Sequence, residues 1–105
     1  MSDDLIARLE IATTPDRVLD AMIDERSLGG IKRALPYVPY YTALMDHAVQ
    51  AVPQGREWEI GSAQLIGIYW AAVINPHFEH KGQGKTPAIA LCIAAMKARN
   101  ERSKQ

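Results

Sequence analysis

The apolar pattern of this chain is least interrupted near its C-terminus, where every residue from Ala88 to Met96 is apolar. A helix with no polar side over more than two turns must be covered from several directions. The residues ahead of the run mark a helix start. Thr86 can accept a hydrogen bond from an orphan amide, and Pro87 suits the first helical position because its missing donor is not needed there. Ile89, Cys92, Ile93 and Met96 follow the i, i+3, i+4, i+7 spacing of one bulky stripe, which is expected to meet a sheet. Ala90, Ala94 and Ala98 form a small row beside it that admits another backbone, from this chain or from a second subunit. Lys97, Arg99, Arg102 and Lys104 put positive charge at the negative end of the helix dipole, the pattern of a solvated helix end.

Upstream, the pattern predicts shorter elements. Ser2, Asp3 and Asp4 open a first helix whose stripe is Leu5, Ile6, Leu9 and Ala12 or Thr13. Thr14-Pro15-Asp16 starts a second, with Val18, Leu19, Met22 and Ile23 inside, Asp16, Arg17, Asp20, Asp24, Glu25 and Arg26 outside, and Gly29-Gly30 as its stop. Residues 31–41 carry two prolines and read as an extended segment or loop. Thr42 is placed to cap a third helix over 43–52, buried through Leu44, Ala48, Val49 and Val52, with Pro53-Gln54-Gly55 ending it. Arg56 to Ile60 alternates polar with apolar, the period of a strand with one wet face, and Gly61-Ser62 reads as a turn. Leu65 to Ile74 is almost wholly apolar and rich in Ile, Val, Tyr and Trp, which predicts a central strand covered on both faces. Asn75-Pro76 ends it, and 77–85 reads as a loop.

A chain of 105 residues is one domain, 1–105, with room for one core. Twelve basic and twelve acidic residues cancel, so net charge draws it neither to long nucleic acid nor to anionic lipid. The single cysteine, Cys92, falls in the apolar helix and has no partner for an internal disulfide, which suits a reducing compartment. The opening Met-Ser-Asp-Asp lacks the basic start of a signal peptide, and the apolar runs are about half the length a bilayer needs. The expectation is a cytoplasmic protein.

Few constellations suggest chemistry. Gly82-Gln83-Gly84-Lys85-Thr86 looks like a phosphate loop, but Glu79 stands where the loop's first glycine belongs, and Pro87 removes an amide from the cradle. What remains is a looser anion-binding turn at Lys85 and Thr86. His77 and His80 could hold a metal with His47 or Glu79, yet no ligand motif accompanies them, and neither metal nor cofactor is expected. No serine stands in a nucleophile elbow, and Asp16 and Asp20 beside Arg17 have the look of helix-start charges. Tyr37, Tyr40, Tyr41, Trp58, Tyr69 and Trp70 offer flat rings, with Arg56, Lys32 and Arg33 near in sequence. Core packing accounts for Trp58, Tyr69 and Trp70 more readily than for Pro39-Tyr40-Tyr41-Thr42, which is the leading candidate for a binding wall.

Several segments resemble a known family. Asp3 with Leu5-Ile6-Ala7-Arg8-Leu9-Glu10, Pro15-Asp16-Arg17 with Leu19-Asp20-Ala21, and Pro39-Tyr40-Tyr41-Thr42 with Asp46 and Ala48 are similar to small proteins of bacteriophages and prophages described as phage αβα-sandwich domain proteins. Thr86-Pro87-Ala88-Ile89-Ala90-Leu91-Cys92-Ile93-Ala94-Ala95 is the most specific part of the likeness. The resemblance implies a phage or prophage origin and a sheet packed with helices. Some phage proteins of this size and layout are anti-defence sponges that bind cyclic nucleotide signals without hydrolysing them, an analogy of fold and context.

Together these readings predict an α/β (α+β) fold: a small, mainly antiparallel sheet against a buried C-terminal helix, flanked by short N-terminal helices. A homo-oligomer is expected, because so small a sheet leaves an all-apolar helix in need of cover. The functional expectation is a non-enzymatic binder of a small nucleotide-derived ligand through Tyr40, Tyr41, Arg56, Lys81, Lys85 and Thr86. The alternative is an interaction module that binds a host or phage protein.

Overall fold

The computed structural model describes residues 4–63, 67–74 and 79–103. Its centre is helix α4 (Pro87–Ser103). The hydroxyl of Thr86 accepts from the amide of Ile89 at 3.1 Å, so the start read from the sequence is the start that forms. From Ile89 to Met96 no residue has measurable exposure, and Ala88 has 3%.

One side of α4 rests on a three-stranded antiparallel sheet in the order β1 (Glu57–Ala63), β2 (Ile68–Ile74), β3 (Glu79–Gly84). The other side is covered by α1 (Asp4–Ile11), α2 (Arg17–Ser27) and α3 (Met45–Ala48). The α+β class and the helix-on-sheet packing agree with the sequence reading. Burial of α4 needs no second copy, because the chain's own helices supply the cover that the small sheet lacks. Among the described residues no helix is long and apolar enough to cross a membrane.

The register explains the close approach of β3 to α4. Ile60, Ala71 and Gly82 share a row, as do Ser62, Tyr69 and Gly84, and these rows face the helix. A Cβ on Gly82 would lie 2.7 Å from the carbonyl oxygen of Ala90 and from the side chain of Ile93; one on Gly84 would lie 2.8 Å from Ile89. Glycine at both positions lets strand backbone touch helix backbone, and the expected bulky stripe does meet the sheet through Ile89 and Ile93.

Several local expectations change. The strand expected over 56–60 runs on through Gly61 and Ser62, which pair with Trp70 and Tyr69 instead of turning. The segment read as a loop contains β3, whose apolar content is too low to announce a strand. The third helix is one short turn followed by a 3-10 turn over Val49–Ala51. Thr42 does not cap it, being buried elsewhere, and Leu44 at its start is 48% exposed. In α2 the inside and outside are partly exchanged: Val18 is 58% exposed, whereas Asp20 and Asp24 are 1% exposed. Ser2, Asp3, Leu65, Ile66, Asn75, Pro76 and His77 lie outside the described residues.

Candidate functional site

The exchange in α2 builds the most organised polar region of the molecule. Asp16 caps the helix, its Oδ1 accepting from the amides of Val18 at 2.8 Å and Leu19 at 3.3 Å. Arg17, Asp20 and Asp24 follow at i, i+3 and i+7, so they share one face. That face receives the segment 31–44, which two prolines keep from forming a long helix.

Each buried carboxylate is satisfied by this segment. Asp20 accepts from the amide of Thr42 at 2.8 Å, from its hydroxyl at 2.7 Å and from Arg17 at 2.9 Å. Asp24 accepts from Arg33 through Nη2 at 2.6 Å and Nε at 3.0 Å, and from the phenol of Tyr41 at 2.8 Å. Arg33 is the main cause that holds the Asp24 carboxyl below its ordinary range. Burial, with Asp24 alongside, pushes the phenol of Tyr41 upward. The Tyr41 carbonyl also accepts from the thiol of Cys92 at 3.4 Å, which ties the segment to α4.

The guanidinium of Arg17 gathers the backbone of the same segment. It donates to the carbonyls of Leu35 at 2.8 Å, Val38 at 3.0 Å and Pro39 at 3.1 Å, and lies 3.9 Å from the centre of the Tyr40 ring. The amide of Tyr40 donates to Nδ1 of His47 at 2.7 Å. The result is a rigid frame with apolar residues on its outside. Leu35 is 49% exposed, Tyr37 74% and Tyr40 48%.

The residues expected to bind a ligand do not converge. Tyr40 is on the surface, but Tyr41 is in the core with its hydroxyl engaged. Thr86 caps α4, and Gly82 and Gly84 belong to β3, so the glycine-rich stretch forms no phosphate cradle. Arg56 precedes β1 at the end of the sheet where Glu57, Ile74 and Glu79 pair; Lys85 follows β3 at the opposite end. Lys81 sits on the sheet face turned away from α4, with its ammonium 3.6 Å from Glu79. Trp58 and Trp70, expected as core or sheet residues, lie in β1 and β2 and are 38% and 39% exposed.

Among the described residues no three His, Cys, Asp or Glu side chains gather to hold a metal ion. Cys92 is fully buried, and burial pushes its thiol well above the ordinary range, which removes it as a nucleophile. Arg17, Leu35 and Leu44 escaped the sequence reading of a site. The signal available was Arg17, Asp20 and Asp24 on one helical face, which has meaning only beside a loop rich in donors.

Compared with known proteins, the chain matches no family model, no curated protein and no solved structure.

Proposed function

We propose that this protein is a non-enzymatic binding module whose recognition surface is the segment 31–44 and whose partner is a host or phage protein. The observation that carries the reading is the contrast within that segment. Its inner side is held by Asp20, Asp24 and Arg17, while Leu35, Tyr37, Tyr40 and Leu44 stand exposed. A surface already fixed in place loses little conformational freedom on binding, and tyrosines contribute large contact area with few rotatable bonds.

A nucleotide-like ligand is the second reading, favoured by the guanidinium of Arg17 against the Tyr40 ring. The protein reading is preferred because the donors of Arg17 are engaged by Asp20 and three carbonyls, and the cations Arg56 and Lys85 lie at opposite ends of the sheet. The test is affinity capture with the wild type and with Tyr37→Ser/Tyr40→Ser, alongside thermal shift against cyclic nucleotides and ADP-ribose derivatives. The expected outcome is one stoichiometric protein held by the wild type and lost by the variant, with no nucleotide raising Tm. A partner retained by the variant overturns the surface assignment, and stabilisation by a nucleotide that the variant abolishes selects the second reading.

A further inference from the structure

The sheet face turned away from α4 has the composition of a covered surface and no described element over it. Along β2 this face carries Ile68, Trp70, Ala72 and Ile74, an apolar row in which Trp70 is 39% exposed, Ile68 and Ile74 are half-buried and Ala72 is buried. β2 is apolar on its other side as well, the pattern of a strand buried twice. Among the described elements, only β1, β3 and α4 pack substantially against β2, and α4 lies on the opposite face.

The face is shaped asymmetrically about that row. The indole of Trp70 leans toward β1 and lies against Gly61, where a Cβ would be 2.4 Å from the ring. This leaves a hollow of about 320 Å³ lined mostly from β2 and β3, by Trp70, Ala72, Glu79, Lys81 and Gln83, and reaching Glu59 on β1. The charges are asymmetric too. Glu59 and Lys81 flank Ala72 in one row, the acid on β1 and the base on β3.

We propose that this face is a twofold interface with a second copy of the chain, sheet against sheet, with the symmetry axis running along β2. Such an axis turns β1 of one copy over β3 of the other while each row stays opposite itself. Glu59 then faces the second copy's Lys81, and Lys81 faces its Glu59, giving two symmetric pairs about Ala72. The same rotation brings the second copy's Trp70 to the β3 side, into the hollow that the first Trp70 leaves open. A twofold axis across the strands instead sets Glu59 against Glu59 and leaves both hollows unfilled. In the end row Glu57 meets the second copy's Glu79 and Glu79 meets its Glu57, two symmetric like-charge contacts at the rim; in each copy Lys81, 3.6 Å from its own Glu79, offsets them. The face measures roughly 14 by 20 Å from strand spacing and rise, a small interface, so the dimer is weak and concentration-dependent.

Sedimentation equilibrium from 5 to 500 µM (roughly, the range in which interfaces of this size dissociate) tests it with Glu59→Lys and Lys81→Glu, far-UV circular dichroism confirming that each folds. The wild type dimerises; each variant alone dimerises about tenfold or more weakly, since both symmetric pairs become repulsive. An equimolar mixture of the two restores the dimer, because every pair is again opposite in sign. If either charge reversal fails to fold, Glu59→Gln takes its place and dimerises more weakly than the wild type, since both symmetric pairs lose their acid. A wild type that stays monomeric across the range, or a dimer unmoved by the single changes, overturns the proposal, as does a mixture that stays monomeric.

Discussion

The phenol of Tyr41 donates to Asp24 across 2.8 Å inside the core, on a carboxylate that Arg33 holds from the solvent side. An aromatic residue suggested as a ligand platform is thereby a structural one, and its loss is a matter of stability. Tyr41→Phe removes one hydrogen bond to a charged acceptor that keeps its other donors, at a cost of about 1.5 kcal/mol. Asp24→Ala strips the partner from both Tyr41 and Arg33 and costs about 3 kcal/mol. Urea unfolding of the two variants checks the order, with the larger drop in midpoint for Asp24→Ala.

The same contact predicts an acid response. Asp24 has its carboxyl lowered in the fold, chiefly by Arg33, so around the ordinary carboxylate range the unfolded chain binds the extra proton. Its contribution is present above the ordinary carboxyl value of 3.8 and is lost as pH falls through the lower folded value. Urea midpoints measured from neutral pH downward will fall in acid for the wild type and fall less steeply for Asp24→Asn.

Cys92 offers a native probe of unfolding. Its thiol is buried and shifted upward by desolvation, so few molecules carry the reactive thiolate and none of it is accessible in the fold. Labelling with a disulfide reagent at pH about 8, near the free-thiol range, will be slow without denaturant and rapid in urea. Fast labelling of the folded protein refutes the placement of Cys92.

Gly82 and Gly61 should respond differently to alanine. At Gly82 the new methyl meets the Ala90 carbonyl and Ile93 at 2.7 Å, in packed backbone and core. We expect a loss of about 3 kcal/mol there, the upper part of the overpacking range. At Gly61 the nearest atoms to the methyl belong to the indole of Trp70, a side chain 39% exposed and able to move aside. A smaller loss of stability, accompanied by a shift in tryptophan fluorescence, is the expected result.

What could be read from the chain follows the range of the interactions involved. Thr86 and Pro87 marked the start of α4, and Thr14-Pro15-Asp16 that of α2, where Asp16 is the cap, because capping involves a side chain and amides two or three residues away. The alternation from Arg56 to Ile60 and the apolar run ending at Ile74 announced β1 and β2 for the same reason. β3 gave no such signal, since Glu79 to Gly84 holds no large apolar residue and forms a strand only where its glycines meet Ile89 and Ile93. Of the suggested ligand residues, Tyr40 remains exposed, while Tyr41 and Thr86 are consumed by Asp24 and by a cap.

The residue order by itself determined that Ala88 to Met96 would be enclosed, because no local arrangement gives such a run a wet side. The tertiary structure alone decided that Asp20 and Asp24 turn inward. Their burial depends on Thr42, Arg33 and Tyr41, donors that lie far along the chain and that only the closed segment 31–44 brings to them.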